Sequence, residues 1–236
     1  MDKVLDQLVE RLRKAFGERL VSVFLYGSAA TGEHSARFSD YNILCVLDEI
    51  TPRELAAAGE VFRWWREKSS PAPLLLTEWE LAASTDCFAI EFLDIQQNHK
   101  LLYGRNVIGP LEVDRSFYRA QVEHDLRGKL LRLRQKSCGM FHDADLLRRL
   151  LLDSVPTFCV LFRHALALSG AEAPVRKRET ILQASRQFGF DPLPFERLLD
   201  VREEHIKARE IEPAALLGAY LDGISRVIGA VDRLEK

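Results

Sequence analysis

The sequence predicts an α+β protein: a β-sheet with flanking helices through about residue 113, followed by an all-α helical bundle over 114–236. Short β-favouring runs alternate with helix signals through the first hundred residues. Strand signals then stop near Asp114, and apolar residues recur only at helical spacing. The chain's bulk agrees, since 236 residues with 47% hydrophobic and 29% charged side chains suffice for two modest domains, each with its own core.

Leu5, Leu8, Leu12 and Phe16 fall on one face of a first amphipathic helix, which Gly17 closes. Leu20 to Tyr26 is the first strand and stops at Gly27; Tyr41 to Leu47 is the second, and a polar loop from Ser28 to Ser39 lies between them. Thr51-Pro52-Arg53-Glu54 is a helix start with a capping box and a proline at the first position, predicting a helix to about Lys68. After the proline-rich break at 69–73, Leu74 to Thr77 is a third strand, and Thr77 with Glu80 repeats the capping pattern for a short helix. Phe88 to Ile95 reads as a further strand with Glu91 and Asp94 inside it, and Leu101 to Tyr103 as an edge strand. Beyond residue 114, helices follow through Phe117 to Leu130, through Leu146 to Leu152 with Pro156 kinking or dividing the second, over about 175–188 ended by Gly189, over 195–209, and over 213–234. The apolar stripe of the last helix serves either a core or a homodimer.

Composition narrows the function classes. With 33 basic and 35 acidic side chains, net charge −2, and no basic stripe interleaved with aromatics, a polynucleotide partner is disfavoured. No run of about 18 apolar residues suggests a membrane span, the charged N-terminus is unlike a signal peptide, and a cytoplasmic protein is expected. Cys45, Cys87, Cys138 and Cys159 lack metal or redox spacing and are read as reduced, mostly buried thiols. Trp64, Trp65 and Trp79 are read as core or helix-packing residues, and His34 as a solvated loop residue.

The informative stretch is Leu25-Tyr26-Gly27-Ser28, eleven intervening residues, then Asp40-Tyr41-Asn42-Ile43-Leu44. A glycine at a strand end lets backbone approach a triphosphate, and Ser28 offers a hydroxyl and an amide to phosphate oxygens. Period-two geometry places residues 40 and 42 on one face of a strand. With Glu91 further on, the pattern resembles the nucleotidyltransferase family with the DNA polymerase β-type fold, over roughly residues 20–105. The segment from Asp94-Ile95 through Lys100-Leu101-Leu102-Tyr103-Gly104 is similar to the two-domain aminoglycoside nucleotidyltransferases, and Ser28-Ala29-Ala30 lacks the arginine common in the minimal members.

The resemblance implies a nucleotidyltransferase-type mixed sheet over 1–113 and a C-terminal helical domain over 114–236 that helps choose the acceptor. It implies that Gly27 and Ser28 hold phosphates, that Asp40 and Glu91 are the metal-binding and catalytic carboxylates, with Glu91 as general base and Asp94 its competitor, and that Mg2+ or Mn2+ is the ion. The substrate would be a nucleoside triphosphate, ATP first, and the acceptor a small-molecule hydroxyl. Asn42 departs from the pattern: where the family has its second metal carboxylate it brings a carbonyl oxygen and no charge. At ~4 Å a unit charge is worth ~4 kcal/mol at an effective dielectric near 20, so ion affinity falls, although Mg2+ needs only one or two carboxylates when phosphates complete its shell. Between Arg115 and Arg149, nine basic residues against four acidic ones, including Arg127, Lys129, Arg132 and Arg134, form either a triphosphate-facing surface or a solvated one.

Three functions follow. The leading one is metal-dependent transfer of a nucleoside monophosphate to a small-molecule or protein hydroxyl. The second is a non-catalytic nucleotide-binding or regulatory protein that lost its ion centre through Asn42. The third is an antitoxin-like transferase acting on a helical partner protein, which the chain's own long helical domain makes unnecessary.

Overall fold

The computed structural model describes residues 3–31, 40–68 and 70–234, so His34 and Ser39 lie outside the described residues. The chain divides into two compact units, Met1–Arg115 and Ser116–Lys236.

The first unit begins with α1 (Lys3–Phe16), whose Leu5, Leu8, Leu12 and Phe16 are buried at the predicted spacing. A single 3-10 turn leads into β1 (Leu20–Tyr26). There follow α2 (Ser28–Thr31), β2 (Asn42–Leu47), α3 (Pro52–Arg66), β3 (Leu74–Thr77), α4 (Glu78–Ala83), α5 (Ala89–Gln97) and β4 (His99–Gly104). Both predicted capping boxes form: Thr51 accepts from the Arg53 amide and Thr77 from the Glu80 amide, while Glu54 and Glu80 reach back to the cap amides.

The sheet order is β3-β2-β1-β4, with β1 antiparallel to both neighbours and β2 parallel to β3. A parallel pair needs a crossover, and α3 supplies it. Alternation along the strands makes two cores. Val23, Leu25, Ile43, Cys45 and Leu47 pack with α1 and with Ala58, Val61 and Trp65 of α3. On the opposite face Phe24, Leu44 and Val46 pack with Leu81 of α4, Phe92 and Ile95 of α5, and Ile108. At the end of β4, Gly104 has φ +79 and an added Cβ would collide with the Val21 carbonyl oxygen, so only glycine fits.

The second unit contains α6 (Tyr118–Ser137), α7 (Ala144–Leu168), α8 (Lys177–Phe188), α9 (Leu193–Arg202) and α10 (Pro213–Asp232). Its core runs along α7, where Phe158 and Phe162 meet Phe190, Phe195 and Tyr220, the last two with ring centroids 4.5 Å apart. Leu217, Ile224, Ile228 and Val231 of α10 are buried within this unit. Gly189 ends α8 in the left-handed conformation. By length and composition α7 and α10 are apolar enough to cross a membrane, and 61% and 39% of their most apolar windows are buried inside the fold.

Several elements differ from expectation. Residues 88–95 are not a strand: α5 occupies 89–97, burying Ala89, Ile90, Phe92 and Ile95 and leaving Glu91 exposed. For Glu91 the cost of a carboxylate in a buried strand therefore does not arise, whereas Asp94 keeps a buried Oδ1. The stretch after Gly27 is not wholly loop, since Ser28–Thr31 forms one helical turn. Pro156 does not divide α7, which runs unbroken for 25 residues. The helix expected over 195–209 ends at Arg202, because Glu203 to His205 are exposed and provide no apolar stripe; Glu204 takes φ 61 and the His205 amide returns to the Asp200 carbonyl at 2.8 Å. Only Cys45 and Cys159 are buried, while Cys87 and Cys138 are exposed, all four free. Trp65 is fully buried and Trp64 packs beside it, but Trp79 is 77% exposed and is no core residue.

Candidate active site

The site is built at the C-terminal end of β1. In the sheet register Tyr26 pairs with Asn42 on one side and with His99 on the other. Directly paired residues share a face, so Asn42, Tyr26 and His99 stand in one row across three strands, on the face that carries Phe24 and Leu44 further in. All three are partly exposed.

Gly27 follows Tyr26 with φ +76, a left-handed turn that glycine adopts without strain. Its amide donates to the Asn98 carbonyl at 3.0 Å, and its carbonyl accepts from the Ala30 amide at 3.0 Å, which winds Ser28–Thr31 into its helical turn. A Cβ placed on Gly27 would lie 3.1 Å from Nδ2 of Asn42, so the bare Cα and the carboxamide line the same notch. Ser28, partly buried, is the next residue and opens the helical turn Ser28–Thr31.

The structure brings the predicted carboxylates together only in part. Asp40 is exposed and precedes β2, which starts at Asn42, so the strand alternation invoked for positions 40 and 42 does not extend to Asp40. Glu91 reaches this face from α5. Burial, and then the charge of Glu91, hold the Tyr26 phenol above its ordinary pKa, which places Glu91 within electrostatic range of the middle of the row. Asp94, one turn further along α5, lies on the same flank of the helix and is partly buried.

Sequence reasoning missed Tyr26 and His99. The Nδ1 of His99 lies 2.8 Å from the Ile95 carbonyl and 3.2 Å from that of Gln96; because carbonyls only accept, this nitrogen carries the proton and Nε2 of the neutral ring is an acceptor. The Asn98-His99 pair just before a β-favouring run is the only local signal, and it becomes meaningful once the register is known.

Among the described residues no group of three His, Cys, Asp or Glu side chains is placed to hold a metal ion. Among the described residues, the donors near the turn, an exposed carboxylate at 40 and a carboxamide at 42 with Glu91 approaching from α5, do not make a two-ion centre. Such a set would suit a single Mg2+ that takes most of its oxygen ligands from elsewhere, such as phosphate and water.

The nucleotidyltransferase domain model matches residues 5–126, just over half of the chain and inclusive of every residue of the row, the turn and both carboxylate positions. The search of curated proteins finds no match. Among solved structures, the chain is similar to the crystal structure of spectinomycin adenyltransferase AAD(9) from Enterococcus faecialis with ATP and spectinomycin, at 13% identity and a TM-score of 0.61, covering 98% of this chain and 99% of that one. At that identity the likeness concerns the fold, a mixed sheet with flanking helices and a helical C-terminal region. The glycine turn closing β1, the residues at 40 and 42 on the way into β2, and the family match across them lead to one conclusion: the chain belongs to the nucleotidyltransferase domain family.

Proposed function

We propose that this protein transfers a nucleoside monophosphate from a nucleoside triphosphate, ATP first, to a hydroxyl of a small molecule. The observation that carries the reading is the notch at the end of β1, where the Gly27 turn that leads into Ser28 meets Asn42 beside a face reached by Glu91. The family match supports the transfer reaction, and a relative of the same fold solved with ATP and spectinomycin supports a nucleotide and a small acceptor.

In this reading the turn at Gly27 and Ser28 receives the triphosphate, and Asp40 holds a Mg2+ or Mn2+ that the nucleotide brings. The ion's chemistry is neutralisation of phosphate charge as the bond to pyrophosphate breaks. Glu91 accepts the proton of the acceptor hydroxyl as its oxygen bonds to the α-phosphorus, with Asp94 as the competing base. Tyr26, its phenol held protonated by burial and by the charge of Glu91, stands next to the turn in the same row as Asn42.

Calorimetric titration of ATP, CTP, GTP and UTP, followed by pyrophosphate release over a panel of hydroxylated acceptors that includes spectinomycin, tests this directly. Pyrophosphate release that requires an acceptor and falls by at least ~100-fold in Glu91→Gln or Asp40→Ala is the expected result. Nucleotide binding with no release on any acceptor would favour the second reading, a binding or regulatory protein, for which Asn42 is the supporting observation. Failure of all four nucleotides to bind would end both readings.

A further inference from the structure

Position 42 is where this chain and its family's ion chemistry disagree, and the local geometry says what replaces it. Asn42 is the first residue of β2, paired with Tyr26 and therefore beside Gly27. Its carboxamide lies beside the bare face of Gly27, with Nδ2 3.1 Å from an added Cβ. The side chain is partly exposed, and no hydrogen bond from the described residues engages it. A carboxylate here would face phosphate only with a cation between them, whereas a carboxamide N–H bonds a phosphate oxygen directly.

The geometry points to Asn42 as a hydrogen-bond donor to a substrate phosphate, so that the notch binds a triphosphate without a divalent ion even though transfer still uses the ion at Asp40. This rests on the nucleotide reading above but goes beyond it, because the family's pattern ties binding at this position to a metal. It follows that binding and turnover respond differently to chelation. Binding survives, and turnover does not.

The test is calorimetric titration of ATP, and separately of inorganic tripolyphosphate, into wild type, Asn42→Ala and Asn42→Asp, each with Mg2+ and each in excess EDTA, with thermal unfolding confirming that every variant is folded. Tripolyphosphate isolates recognition of phosphate from that of base and ribose. A hydrogen bond to a charged group contributes about 1.5–3 kcal/mol, so in EDTA Asn42→Ala is expected to weaken both ligands by about 10- to 100-fold, while wild type in EDTA stays within about 10-fold of its value with Mg2+. Asn42→Asp is expected to lose binding in EDTA at least as completely and to recover it with Mg2+, a metal requirement that wild type lacks. Wild-type binding that vanishes in EDTA, or an Asn42→Ala protein that binds as wild type does in EDTA, overturns the inference and leaves the nucleotide reading standing. Should neither ligand bind any form under either condition, the nucleotide reading and this inference fall together. Because the wild-type comparison needs no substitution, a variant that failed to fold would not remove the test.

Discussion

His99 opens β4 with its ring edge-on to Phe24, centroids 5.6 Å apart, and with Nδ1 turned back to the carbonyls that end α5. The ring therefore fastens the helix that carries Glu91 to the strand beside Tyr26. Imidazole is well suited to this place because carbonyls in the last turn of a helix lack amide partners and accept from a nearby donor. Replacing His99 with Ala takes the ring donor from both carbonyls, of which that of Ile95 keeps the Asn98 amide at 3.2 Å, and is expected to cost about 1–2 kcal/mol in chemical denaturation; Asn, whose amide nitrogen can still donate, should recover part of that, and Gln, with its donor one carbon further out, less. Equal losses for all three variants would show that ring packing on Phe24, and not the Nδ1 hydrogen bonds, is what the position requires. Gly27, Ser28 and Asn42 are legible in the sequence alone, since a glycine at a strand end and a polar residue at a strand start are local features. His99 is not, because its place depends on which strand lies next to β1.

At the scale of elements, α5 shows how a short apolar run deceives. Phe88 to Ile95 is rich in β-favouring residues, yet the buried set, Ala89, Ile90, Phe92 and Ile95, follows helical spacing and no alternation of two. Glu91 and Asp94, three apart and outside that set, were the clue: as strand residues they are an anomaly, as helix residues they share a polar flank. The elements with explicit end signals, the two capping boxes above all, were legible for that reason. Pro156 illustrates the reverse, a local breaker overridden by packing. Proline lacks the N–H that would bond the carbonyl four residues back, that of Leu152. In the structure Nη1 of Arg202, at the end of α9, donates to that carbonyl at 2.9 Å and lets α7 continue. The two positions should therefore be coupled. Arg202→Ala is expected to cost about 1–3 kcal/mol in the native background, where it takes the donor from the partly buried Leu152 carbonyl, and at least ~1 kcal/mol less in a Pro156→Ala background, where the restored amide reaches Leu152. A double-mutant cycle on urea midpoints measures this, and strict additivity would mean that Arg202 acts on α7 through its other contacts alone.

For the whole molecule, the sheet order β3-β2-β1-β4 is set by long-range pairing and is written in no single segment, which is why the row Asn42–Tyr26–His99 emerged only with the structure. The two units offer separate optical reports. Trp64, Trp65 and Trp79 all lie in Met1–Arg115, together with Gly27, Ser28, Asp40, Asn42 and Glu91, whereas the long helices α6, α7 and α10 lie in Ser116–Lys236. Tryptophan fluorescence thus follows the unit that holds the candidate site, and far-ultraviolet circular dichroism weighs the helical unit heavily. A ligand that binds only the folded site stabilises it by about 2.7 kcal/mol at 100 times its Kd, which for a unit of this size raises the unfolding midpoint by on the order of 10 °C. ATP is therefore expected to move the fluorescence-detected transition upward, with a smaller movement in Asn42→Ala at the same concentration. If ATP moves the dichroism transition while the fluorescence transition stays in place, the nucleotide is binding among the helices of the second unit, and the notch at the end of β1 is not its site.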